Sequence, residues 1–344
     1  MSQADYHSNK ETVSLVGTGP FKVEFFNSDT KIVLKKNEIY FVHNRPFLDR
    51  VIFDLSQEGN KYAIERFEKN EIDFIFAGEE TYLKKINQRK NLNKITETIP
   101  QVSTYFLAFN CLKKPFDNPR IRKAFNLAID RFKVVNALPK DYAIPAISIV
   151  PNGIFTYVSN VGSYNYDPEK AVRILKEEGF DFDNFIFELT FRKQSEDIPN
   201  DILAIKESLE KINIKVKLKG LAKHWEYIAK REFDAFRVGW VADYPDADNF
   251  IFNIFNSNAG DPFYLGYKNG IVDKLSEEAK YEIEPRARVK LYAKIEQIII
   301  DDSPVVPLYH RKNIILRNQN LQGVKLKGFS PQVDFSEISF RTFS

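Results

Sequence analysis

From Phe185 to Ala242 the spacing of apolar residues switches repeatedly between a period of two and a helical period, and this alternation restricts the fold more than any other feature of the chain. Phe185 to Arg192 alternates as a strand, Asp201 to Lys211 is amphipathic as a helix, and Ile214 to Leu218 is again extended. Trp225 to Arg231 then reads as a helix and Phe233 to Ala242 as an apolar strand. Strands and helices in this order describe an α/β domain.

The flanking sequence extends the pattern. Gly17-Thr18-Gly19-Pro20 is a turn followed by FKVEFF and KIVLKK, a hairpin signal, and Arg50 to Asp54 is a further strand. Lys61 to Lys69 has helical spacing, and Asn70 to Ile75 returns to extended structure. Ser103 to Asn110 is a strongly apolar strand. In Arg120 to Asp130, Ile121, Ala124, Phe125, Ala128 and Ile129 share one helical face, with Asp117 or Asn118 available as a cap. Ala137 to Tyr164 is poorly patterned and reads as loop. A helix begins at Asp167-Pro168-Glu169, with proline in the first turn and acid at the positive end of the dipole. Later helices are expected at Ile271 to Tyr281 and Glu284 to Asp301, then a strand at Val305 to Tyr309 and short strands and loops from Asn318.

Composition removes several classes of function. The 344 residues suggest about two domains, and 43% hydrophobic residues supply a sizeable core. Fifty basic against 47 acidic side chains give a net charge of +3, so no global field points to nucleic acid. The single cysteine, Cys111, excludes an intrachain disulfide, and His7, His43, His224 and His310 lack the spacing of a helical zinc site. No metal and no cofactor is expected. No segment approaches the roughly 20 apolar residues of a membrane span. Met1 to Val13 is polar and reads as frayed, without the apolar centre of a signal peptide.

Chemistry concentrates in Phe233 to Phe252, FDAFRVGWVADYPDADNFIF. Gly239 lets another backbone or a ligand come close, and Asp243 to Asp248 form a turn at the strand's exit. Arg237 and Asp243 lie six residues apart on one alternation of the strand. An extended ligand with oppositely charged ends could use both. They read equally well as surface ions or as a mutual pair. Asp243, Asp246 and Asp248 also suggest a hard-cation site or the acid and base of a hydrolase, although the glycine and terminal glutamate of an EF-hand loop are missing and no nucleophile accompanies them.

Four motifs in order span nearly the whole chain: Gly17 to Phe21 with Ile32-Val33-Leu34 and Asn37; FNCLKKPFDNPRIRKAFNLAIDR from Phe109; YDPEKAVRILKEEGF from Tyr166; and VGWVADYPDADNF from Val238. In these the chain resembles the family 5 extracellular solute-binding proteins, the peptide and nickel receptors of ABC importers. The resemblance implies an α/β, two-lobed periplasmic-binding-protein fold of the type II, Venus-flytrap kind, which binds and does not catalyse. Residues 1–108 and 318–344 would form the first lobe and 109–317 the second. In the family a long N-terminal region precedes the GTGP segment, and here sixteen residues do. The first lobe is therefore expected to be incomplete, with apolar surface that favours self-association or a partner chain.

Site residues follow from the same motifs. Asp243 matches the aspartate that pairs with a peptide's α-ammonium, and Arg237 a cation that meets its carboxylate. Gly239 and Val241 match backbone that pairs with the bound peptide, and Trp240 and Trp225 match aromatic pocket walls, with core packing as the other role for each indole. The implied partners are a peptide or other small solute and a membrane permease, in a periplasmic or extracellular location. Relatives also take nickel chelates, sugars and opines. The alternative is a ligand-sensing or truncated interaction module built on the same fold.

Overall fold

The computed structural model describes residues 17–56, 62–78, 80–89, 96–159, 161–162, 164–193, 195–329 and 332–341. Met1 to Val13 and Lys61 lie outside this set. The chain divides into two compact units, Met1–Ile99 with Asn313–Ser344, and Pro100–Lys312.

The elements begin with β1 (Phe21–Asn27), β2 (Lys31–Lys36), β3 (Arg50–Asp54), α1 (Ala63–Glu68), β4 (Phe74–Phe76), α2 (Glu80–Asn87) and β5 (Thr96–Pro100). They continue with β6 (Ser103–Phe109), α3 (Pro119–Ala128), α4 (Arg131–Asn136), β7 (Ala143–Pro145), α5 (Pro168–Glu177), β8 (Ile186–Arg192) and α6 (Asn200–Glu210). Next come β9 (Lys215–Leu221), α7 (His224–Ile228), β10 (Ala235–Val241), α8 (Asp248–Phe255), α9 (Gly270–Tyr281) and α10 (Pro285–Asp302). β11 (Val305–Arg317), β12 (Leu321–Gln322) and β13 (Ser339–Phe340) complete the chain.

In the first unit β1, β2 and β3 form an antiparallel sheet. Its first turn is held by Asn27 Oδ1, which accepts from the amides of Asp29 (2.9 Å) and Thr30 (3.1 Å). Asn37 is buried and ties the glycine-proline turn to the sheet: its Nδ2 donates to Gly19 O at 2.9 Å and its amide to Pro20 O at 2.9 Å. β4 pairs with Ile315 to Arg317 of β11.

The second unit is built on a mixed sheet in the order β11, β6, β10, β8, β9. β9, β8 and β10 are parallel, whereas β6 is antiparallel to both β10 and β11. One face carries a core in which the rings of Phe109, Phe116, Phe125 and Phe187 meet one another under α3, α5 and α6. Each such ring removed from water contributes about 1.5–3 kcal/mol. Asn118 caps α3 by accepting from Arg120 N at 2.9 Å, and Asp167 caps α5 by accepting from Lys170 N at 2.9 Å; both helices begin with proline.

Four expectations change. The unit boundaries fall before β6 and after Lys312, ahead of the positions read from the sequence, because β6 lies between β10 and β11 and belongs wholly to the second sheet. The segment from Ala137 to Tyr164 includes β7, paired with β11 at Tyr309 to Arg311. β11 runs on to Arg317 through His310 and Asn313, which are polar yet buried. The acidic turn leads at once into α8.

Candidate strand-edge binding site

β10 is paired with β6 along its whole length, from Ala235 opposite Phe109 to Val241 opposite Ser103. Ala242 N donates to Val102 O and Asn110 N to Asp234 O, so the even-numbered residues of the strand direct their amides and carbonyls toward β6. The odd-numbered residues direct theirs toward the other edge. There β8 pairs with Ala235 and Phe236 and then ends its contact, and no other strand among the described residues pairs with that edge. Gly239 and Val241 therefore present backbone donors and acceptors to an open edge.

The side chains at the strand's odd positions share the sheet face that holds the aromatic core, and here a buried polar cluster forms. Arg237 Nε lies 3.2 Å from Asp201 Oδ2, in ion-pair range but outside hydrogen-bond geometry. Asp201, almost wholly buried at the start of α6, is occupied by other donors: Tyr309 Oη at 2.9 Å and the amide of Ile202 at 3.0 Å. Burial opposes the Arg237 charge, but the Asp201 carboxylate and the surrounding phenols more than offset this and raise its pKa. Among the described residues the guanidinium makes no hydrogen bond. Asp201 balances its charge, and its N–H groups are left without a hydrogen-bond acceptor.

Tyr105 lies at the centre of this cluster. Its ring stacks on Tyr309 at 4.9 Å, and its hydroxyl accepts from Arg311 Nη1 at 3.0 Å. The guanidinium carbons of Arg237 and Arg311 stand 5.9 and 5.7 Å from its centroid. The space over Gly239, expected to admit a ligand or a second backbone, is filled by this ring. What Gly239 leaves open is its backbone edge.

Beyond the strand, Asp243 is exposed and its carboxylate meets only Asn249 Nδ2 among the described residues, at 3.4 Å. Asn249 Oδ1 accepts from Trp240 Nε1 at 2.7 Å, which fixes the indole, and Trp240 packs edge-on against Phe263. Arg237 and Asp243 are thus not a mutual pair. Asp246 binds Arg288 at 2.8 Å, and Asp248 accepts from Tyr244 Oη at 2.7 Å. Each of these two carboxylates already has a partner, and among the described residues no group of three His, Cys, Asp or Glu is placed to hold a metal. Asp246 and Asp248 therefore brace the start of α8.

Trp225, on α7, is 43% exposed and lies edge-on to Phe236 at 6.0 Å. The strand's alternation puts Trp240 and Phe236 on the opposite face from Arg237. The six residues singled out in the sequence thus surround one stretch of β10, with Arg237, Gly239 and Val241 at its odd positions, Asp243 just past its end and the two indoles on the other side. Asp201, Tyr105, Tyr309 and Arg311 were missed. Their only sequence signal is a polar or tyrosyl residue inside an apolar element.

No helix among the described residues is long and apolar enough to cross a membrane. Residues 1–262 match the sequence profile of the bacterial extracellular solute-binding proteins, family 5 Middle. A glutathione-binding protein, GsiB, of Salmonella paratyphi A is 28% identical over 318 residues, which is 90% of this chain and 61% of that protein. The periplasmic binding protein DppA of Helicobacter pylori, solved with the peptide STSA, superposes with a TM-score of 0.75 at 26% identity, over 95% of this chain and 63% of that one. A periplasmic oligopeptide-binding protein of Borrelia burgdorferi, OppAIV, does so at 0.74 with 27% identity, over 95% and 65%. The chain spans about three-fifths of the length of such relatives.

Proposed function

Since the chain belongs to the bacterial extracellular solute-binding proteins of family 5, we propose that it binds a peptide or related small solute along the open edge of β10 and serves the permease of an ABC importer, in the periplasm or outside the cell. The observation that carries this reading is the combination at one edge: Gly239 and Val241, whose outward backbone groups no strand among the described residues pairs, a half-buried Arg237 without a hydrogen bond before them, and Asp243 with its carboxylate exposed after them.

A ligand with its ammonium at Asp243 and its carboxylate at Arg237 runs antiparallel to β10. In that direction one ligand residue exchanges both hydrogen bonds with Gly239 and another with Val241. Main-chain pairing supplies affinity without reading side chains, and the two charges set direction. Arg237 recognises the carboxylate with several N–H donors at once, as a guanidinium does better than an ammonium. The structures solved with peptide and the glutathione-binding relative support a peptide-like ligand. No catalytic step is assigned.

Asp243 is exposed, so its pull on an ammonium is on the order of 1 kcal/mol or less until the ligand itself excludes water. Calorimetry with a short peptide and its N-acetylated form, on the protein and on Asp243→Asn, tests the assignment. The protein should prefer the free amine and the variant should barely discriminate. Equal affinity of both proteins for the unblocked peptide would make Asp243 a turn residue.

A further inference from the structure

A cavity of about 400 Å³ opens at the carboxyl ends of β8 and β9, lined by Arg192, Ala222, Lys223, His224, Trp225 and Glu226. We propose that it is a side-chain pocket for an acidic residue of the ligand, glutamate above all, whose methylenes lie on the Trp225 indole and whose carboxylate meets Arg192. The proposal rests on the peptide-binding role argued above and adds a selectivity to it.

Arg192 is the last residue of β8, and Ala222 to Trp225 follow β9 directly, so the cavity sits at the carboxyl ends of two adjacent parallel strands, where sheets of this kind hold ligands. β8 parts from β10 after Thr190 and Phe236, which is where the open edge starts. By the strand alternation Arg192 shares the face of Thr190 and Phe236, and Phe236 is the ring against which Trp225 packs. An extended ligand directs neighbouring side chains to opposite faces, so one that reaches Arg237 on one face sends an adjacent group toward Arg192 on the other.

Charge and shape supply the rest. Arg192 is exposed and makes no ion pair among the described residues, and Lys223 meets Glu226 at 3.6 Å with both side chains mostly in water. Two cations against one carboxylate leave the lining net positive. His224 is buried beside Trp225, with ring centroids 4.8 Å apart. Its burial and the positive fields of Arg192 and Arg237 hold its pKa below the usual value. The cavity's size lies within the range of small-molecule pockets. The half-exposed indole offers an apolar wall, which favours glutamate over the shorter aspartate.

The test is calorimetry with trialanine and its single glutamate, glutamine and lysine substitutions at each of the three positions. At one position glutamate should bind about tenfold more tightly than glutamine. That ratio should collapse in Arg192→Gln, and in Arg192→Glu the lysine peptide should become the preferred one. Because each ratio is taken within one protein, a general loss of affinity in a variant does not imitate the result. Glutamate and glutamine peptides bound alike at every position would overturn the acidic pocket while leaving peptide binding intact. Failure of trialanine and all its substitutions to bind would overturn both.

Discussion

A β-carbon placed on Gly239 would lie 2.6 Å from Cε1 and Cζ of the Tyr105 ring, its cross-strand partner. The ring cannot move aside freely, since it is stacked on Tyr309 and hydrogen-bonded to Arg311. Glycine at this position therefore permits the close seating of a tyrosine that lies between two guanidinium groups.

Gly239→Ala should accordingly destabilise the second unit by about 1–3 kcal/mol, the usual penalty for overpacking. In a Tyr105→Ala background the same substitution should cost much less. Urea denaturation of the four proteins in this cycle measures the difference. An unchanged penalty would place the strain elsewhere.

A pH dependence follows from two buried groups linked through Thr104. Glu296 Oε1 accepts from the amides of Ile149 (2.5 Å) and Val150 (3.0 Å), while Thr104 Oγ1 donates to Ile149 O at 2.8 Å and lies 3.0 Å from His310 Nδ1. Burial pushes Glu296 up from 4.5 to about 7, against the pull of those amides. Burial pushes His310 down from 6.5 to about 4, against its bond to Ser103 O. Between pH 4.5 and 7 the native state holds a proton on Glu296 that the unfolded chain has released, so this group's contribution is lost as pH rises. Between pH 6.5 and 4 the unfolded chain protonates His310 first, so that contribution is lost as pH falls. Each slope is at most about 1.4 kcal/mol per pH unit, and from pH 4.5 to 6.5 they oppose each other. Glu296→Gln should therefore show stability rising with pH across that window more steeply than the parent does. A profile parallel to the parent's would show that Glu296 titrates normally.

The first unit leaves large apolar side chains in water: Ile39 is 82% exposed, Phe41 79% and Ile52 63%. Phe25 and Ile52 flank Val33 across the sheet and are both exposed, so the patch is shared by neighbouring strands. Surfaces of this kind associate. Light scattering should show mass per particle rising with protein concentration, and Ile52→Lys should shift the balance toward monomer. A monomer at every concentration would show that the patch remains solvated.

The architecture was legible where the hydrophobic period was clear. β8, α6, β9 and β10 lie within one to three residues of their expected places, and the caps Asn118 and Asp167 act as their side-chain chemistry suggests. α8 was not legible, because NFIFNIF is apolar on nearly every side and follows an acidic turn that contains Pro245. β11 was cut short at Tyr309 because His310 to Asn313 look like solvated loop, whereas His310 and Asn313 are buried with partners on distant segments. The same holds at the site. Arg237 and Asp243 stood out, but the counter-ion of Arg237 is Asp201, thirty-six residues earlier, and the ring beside it comes from β6. Local pattern identifies charged residues and not the partners that tertiary structure brings to them.

A ligand strand at the free edge of β10 would be read directly by amide hydrogen exchange resolved to single residues. On addition of a bound peptide, the amides of Gly239 and Val241 should become protected, while those of Val238 and Trp240, already directed to β6, should change little. Saturating peptide with no added protection at Gly239 and Val241 would show that the ligand binds elsewhere.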